Sequence, residues 1–198
     1  MNRKLLTILF LLVVAVICFI LFLSQSYPAV LVDWRPISLD SFNKDSAAAL
    51  YYYQKLSEVY GADFVGPIDT PEFKMEVQRA VLDKLVENKI IEKELGKRLE
   101  GGDIDGIVEK KINEILKETG NNIEEKVKTI YGISMADFRK EILEPQARFE
   151  VLEGRFIIEN NSESNFEEWL NSVKLQSKVT IFVPNFHWSE GKVAINEQ

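Results

Sequence analysis

The chain has 198 residues, 46% hydrophobic and 28% charged, and 31 acidic against 24 basic side chains give it a net charge of -7. One Cys and one His exclude an intramolecular disulfide, a cysteine-based zinc site and any two-His metal or catalytic constellation. The acidic balance argues against sequence-independent nucleic-acid binding, which needs a basic surface to displace counterions, and the charged fraction is too high for a polytopic membrane protein.

Leu5 and Leu23 bound an uncharged run in which Thr7 is the only polar residue. As a helix it would measure about 28 Å, close to the ~30 Å hydrocarbon core of a bilayer. Arg3 and Lys4 precede it, and no basic residue follows before Arg35. The positive-inside rule then puts the N-terminus in the cytoplasm and the rest outside, as a single-pass protein of the cell membrane. The length of the run favours an uncleaved signal-anchor over residues 1–26, rather than a signal peptide cut before Tyr27. Cys18 falls within the run, which leaves residues 27–198 as one thiol-free domain, large enough to bury its own core.

Residues 27–34 (YPAVLVDW) read as a short strand that ends at Arg35-Pro36, where proline opposes further pairing. Ser38 caps a helix expected over residues 39–60, with Phe42, Ala49, Tyr53, Leu56 and Tyr60 on one face and Gly61 after it. A loop with turn chemistry at Gly66-Pro67 follows. Thr70-Pro71-Glu72 then starts a helix expected to reach Leu95 and to break at Gly96.

Three shorter helices are expected next. The first covers residues 105–119. The second starts at Asn122, with Glu125 completing a capping box, and stops at Gly132. The third starts at Ser134, carries Phe138, Ile142, Phe149, Leu152 and Phe156 inward, and is kinked at Pro145. A polar linker over residues 159–165 leads to a helix with Trp169, Leu170 and Val173. Residues 178–183 (KVTIFV) are the clearest strand, and a terminal hairpin around Glu190-Gly191 closes the chain. The expected fold class is mainly α with a small β element (α+β). It comprises an N-terminal transmembrane helix and a multi-helix domain closed by pairing of the N-terminal strand with residues 178–183.

The order of these pieces, and the segments "PISLDSF", "VLDKLVENKIIEKEL", "YGISMADFRKEILEPQ" and "FEEWLNSVKLQSKVTIFVP", resemble the N-terminal chaperone domain of the SurA and PrsA families of exported foldases. The resemblance spans residues 30–183. It implies binding of unfolded or newly exported polypeptides. In those families a parvulin domain of prolyl isomerase activity is inserted before the returning helix and strand. Here only residues 157–165 occupy that place, and the one histidine, His187, lies beyond the returning strand. The expectation is therefore a non-catalytic, chaperone-like protein with no cofactor, no metal and no nucleic-acid partner, attached to the membrane through the run from Leu5 to Leu23. Two rival readings are an anchored interaction module, with a homodimer made by exchanging the terminal strand and helix, and an isomerase-related protein with residual activity.

Four residues are candidates for peptide contact. Three consecutive tyrosines on a helix fan over about 200°, so one at least leaves the core face. Tyr53 fits the inward stripe. Tyr51 and Tyr52 offer aromatic surface to an extended peptide or pack against a neighbouring helix. Phe64 and Val65, apolar within a turn-like stretch, line a client groove or plug the core.

Overall fold

The computed structural model describes residues 27–61, 66–99, 102–119, 122–160 and 165–196. Two strands open the domain, β1 (Pro28–Val32) and β2 (Arg35–Ser38). They pair antiparallel around a tight turn at Asp33 and Trp34, both with positive φ. The expected end of pairing at Pro36 is corrected: Pro36 lies opposite Leu31 in β2. β2 is an edge strand, and an edge tolerates a residue that cannot donate.

Helix α1 (Leu39–Tyr60) follows at once, capped by Ser38, whose Oγ accepts the Ser41 N–H at 3.1 Å. Helix α2 (Pro71–Arg98) starts as its sequence dictates. Thr70 Oγ1 accepts the Phe73 N–H at 3.2 Å, and Pro71 takes the first turn, where its missing N–H costs nothing. The break expected at Gly96 does not occur, and α2 runs through it to Arg98. Tertiary packing overrides the weak propensity. Leu95 is fully buried, and Arg98 pairs with Glu159 and lies 4.5 Å over the Trp169 ring.

Helices α3 (Ile104–Thr119) and α4 (Ile123–Tyr131) come next. The capping box expected at Asn122 is corrected. Asn122 is left-handed, with φ 71°, and makes no side-chain cap bond. Ser134 then caps α5 (Met135–Phe138), which continues through a π-helical turn, Arg139–Leu143, into α6 (Glu144–Glu159). The kink expected at Pro145 takes the form of this π turn. A proline ring clashes with the carbonyl four residues back, and the wider turn ahead of Pro145 makes room for it. Because α6 reaches Glu159, Ile157 and Ile158 are helical rather than part of a linker.

Asn165 caps α7 (Phe166–Gln176), its Oδ1 accepting the Glu167 N–H at 3.0 Å. Strand β3 (Val179–Ile181) pairs antiparallel with β1, with Val30 opposite Ile181, giving a sheet of order β2-β1-β3. β4 (Phe186–Ser189) and β5 (Lys192–Ile195) form a second, separate sheet. It is fastened to α2: the Val193 N–H donates to Asp83 Oδ1 at 2.8 Å, and the Val193 carbonyl accepts from Arg79 at 3.2 Å.

The expected fold class is corrected on two counts. The described residues are mainly helical with five short strands in two sheets, and β2, at the edge of the first sheet, is a strand that was not expected. No helix among them is long and apolar enough to cross a membrane. The run from Leu5 to Leu23 lies outside the described residues.

α2 is the axis of the domain. Leu82, Val86, Ile90, Ile91 and Leu95 are fully buried on it, at about 1.5–3 kcal/mol each. α1, α6, α7 and both sheets pack around it. Val30 and Val32 of β1 join the same core, as do Ala147, Leu152 and Phe156 of α6.

Candidate functional site

α1 and α2 pack against each other, but not flush along their whole length. Ala48 and Ala49 on α1 are small, and opposite them stand Val81, Leu85 and Asn88 of α2. The space left is a hollow of about 290 Å³, walled also by Tyr52, Tyr53, Tyr131, Ile133 and Ile142. A second hollow of about 500 Å³ lies along Pro36, Ser38, Ser41 and Pro145. The two share Asp45, Leu85, Asn88 and Glu141, whose side chains stand between them. Together they make a groove along the seam of the two long helices, and Glu141 and Ile142 of the π turn overhang it.

The aromatic wall is built by contact between elements. Tyr52 stacks on Tyr131 of α4, with ring centroids 5.3 Å apart and planes 12° from parallel. Tyr53 meets Phe73 of α2 edge-on at 5.3 Å. Burial, and then Tyr52, hold the Tyr131 hydroxyl pKa above its usual value. Tyr51 lies elsewhere: its ring packs on Gly132, where a Cβ would sit 2.8 Å from it, with Lys55 on the ring at 5.5 Å. Of the four candidate residues, the groove therefore takes Tyr52, and Tyr51 packs beside it against Gly132. Phe64 and Val65 lie outside the described residues.

The polar groups at the junction are unbalanced. Lys44 is held by a hydrogen bond to Asp137, which raises its pKa, and it meets Glu141 only at 3.7 Å. The Asp45 carboxylate makes no hydrogen bond or ion pair with a described residue and feels its neighbours only through their charge. Burial, with the Glu141 charge adding to it, pushes its carboxyl up to about 6, against the pull of Lys44 and Lys140. Asn88 Oδ1 is buried and has no donor. A buried acceptor left without a donor costs about 1–3 kcal/mol, and Asn88 Oδ1 is such an acceptor, with the half-buried Asp45 and Glu141 carboxylates on the same walls.

Asp45, Asn88, Tyr131 and Glu141 were not among the residues picked out from the sequence. Asp45 and Asn88 carried a signal: Asp45 is three residues after Phe42 and four before Ala49, and Asn88 is three after Leu85. Each is a polar residue set within an apolar helical stripe. Tyr131 and Glu141 carried none, because they reach the groove only through the placing of α4 and the π turn.

The groove offers aromatic faces, aliphatic walls and hydrogen-bond acceptors. His187 is apart from it, exposed on β4 with Nδ1 2.7 Å from Asn196 Oδ1. Among the described residues no group of three His, Cys, Asp or Glu side chains is placed to hold a metal ion. No protein-family model matches the chain, and neither a curated protein nor a solved structure matches it.

Proposed function

We propose that the domain binds extended segments of unfolded or newly exported polypeptides without catalysis, as a chaperone-like protein of the kind the resemblance to the exported foldases implies. One observation carries the reading: the groove between α1 and α2 is walled by Tyr52, Tyr53 and Tyr131 and holds a buried acceptor, Asn88 Oδ1, that has no donor. Aromatic side chains give large contact area at low entropic cost, and free acceptors suit the N–H groups of an extended chain. The mechanism is shielding: weak, reversible contact keeps exposed apolar segments from one another.

The test is suppression of aggregation of a chemically denatured model protein by the full chain. Suppression is expected at a few-fold molar excess. An Ala48→Trp substitution, which fills the groove, should abolish it while leaving the helical circular dichroism unchanged. No suppression by the folded, unsubstituted chain would refute the reading.

A further inference from the structure

The binding role just proposed leaves open what the groove selects, and its charges bear on that question. The basic side chains around the two hollows have close carboxylates, except Lys140, which is exposed and lies 3.6 Å from Glu141. Lys84 holds Glu87 at 2.9 Å, Lys89 holds Glu92 at 2.8 Å, Arg148 holds Glu144 at 2.7 Å, and Lys44 holds Asp137. The carboxylates at the junction are not so served. Glu141, 19% exposed, meets Lys44 and Lys140 only at 3.7 and 3.6 Å, and the Asp45 carboxylate feels the same two lysines with no hydrogen bond or ion pair to either. Asn88 Oδ1, buried beside them, adds a third acceptor. Neither Lys44 nor Lys140 makes a hydrogen bond to these acceptors, and a group with several donors and a positive charge, delivered along an apolar path, would satisfy them.

We propose that the groove selects polypeptide segments that carry a lysine or arginine beside apolar residues, with the cationic head among Asp45, Glu141 and Asn88 and the aliphatic stem along Tyr52 and Ile142. A basic side chain matches both halves of the site, because its methylenes prefer apolar surface while its head requires acceptors. The net charge of -7 favours the same ligands over acidic ones at longer range. This inference rests on the groove being the polypeptide-binding site.

The experiment uses the full chain and three short fluorescent peptides, identical except for a central lysine, norleucine or glutamate. Affinity is read by anisotropy at neutral pH. A charged hydrogen-bonded contact predicts that the lysine peptide binds about tenfold tighter than the norleucine peptide. The glutamate peptide should bind more weakly than either. Asp45→Asn should narrow the gap between the lysine and norleucine peptides, chiefly by weakening the lysine peptide. Equal affinity for lysine and norleucine peptides overturns the inference and leaves the binding role standing. Failure of all three to bind removes both. The peptide comparison on the unsubstituted chain decides the matter even if the variant does not fold.

Discussion

Asp45 carries the largest residue-scale consequence of the groove. In an unfolded chain its carboxyl titrates near the ordinary 3.8, whereas burial beside Glu141 holds the proton up to about 6 in the fold. The charged groups around it are Lys44 on its own helix, Glu141 and Lys140 on the π turn, and Lys84 and Lys89 of α2 along the two hollows. Between those two pH values the native state binds the extra proton. The contribution of Asp45 to stability therefore falls as pH rises through this window, and the cost is absent below it. Asp45→Asn should stabilise the fold by about 1 kcal/mol at neutral pH, after allowing for solvent screening, and change it little near pH 4. Denaturant midpoints of variant and parent at the two pH values measure this, and an equal gain at both would contradict it. The comparison has to be made between the two proteins, because other carboxylates act in the opposite sense. Burial pushes Asp33 and Glu87 up, but Lys93 and the Lys178 N–H at the one, and Lys84 and Lys174 at the other, outweigh it and hold them low. Their contribution is complete above the ordinary carboxylate range and is lost as pH falls through their lowered values. Gly132 gives a second residue-scale prediction. Its φ of +69° disfavours any side chain, and a Cβ would lie 2.8 Å from the Tyr51 ring. Gly132→Ala should cost about 1–3 kcal/mol in urea unfolding.

At the scale of elements, glycine has a different meaning in α2. Gly96 lies inside the helix, and an alanine methyl there would meet nothing within 4 Å, so only its backbone freedom matters. Gly96→Ala should raise stability by about 1 kcal/mol, seen as a higher thermal midpoint. The same residue shows what the sequence could and could not tell about elements. Starts of helices were legible at Ser38, Thr70 and Ser134, because a capping hydroxyl acts on N–H groups two or three residues away. Gly96 misled, because whether a helix continues past a weak residue is decided by what the next turn buries, here Leu95 beside it and Arg98 on Trp169. Pro145 signalled an irregularity but not its form. The π turn that resolves it carries Glu141 and Ile142 over the groove. The site was legible only in part: Tyr52 stood out as a surplus aromatic, whereas Asp45, a polar interruption of an apolar face, was passed over. The partner that stacks on Tyr52 comes from another helix, and no local pattern encodes that distance.

For the whole molecule, the decisive pairing is between chain ends. β1 sits in the middle of its sheet, and its second partner, β3, is about 150 residues away in sequence, so this pairing carries a loop-closure cost that the core it completes must offset. Its effect reaches the centre of the domain. Val30 and Val32 are buried in the same core as the α2 residues, the Asp33 N–H donates to the Lys178 carbonyl at 2.8 Å, and Asp33 also holds Lys93 of α2 at 2.6 Å. The hairpin beyond β3 then fixes Val193 to Asp83 on that helix. Removing residues 177–198 would therefore strip one edge of β1, uncover Val30 and Val32, and release the middle of α2, which lines the groove through Val81 and Leu85. The truncated chain should keep most of its far-ultraviolet helical signal, lose its cooperative thermal transition and bind a hydrophobic dye, the signature of secondary structure without fixed packing. The milder Val30→Ala change, which leaves the pairing intact, should cost about 2–4 kcal/mol and keep the transition cooperative. If the truncated chain melted as sharply as the parent, the core would be closed by the helices alone. The returning strand would then be an accessory and not the closure of the domain.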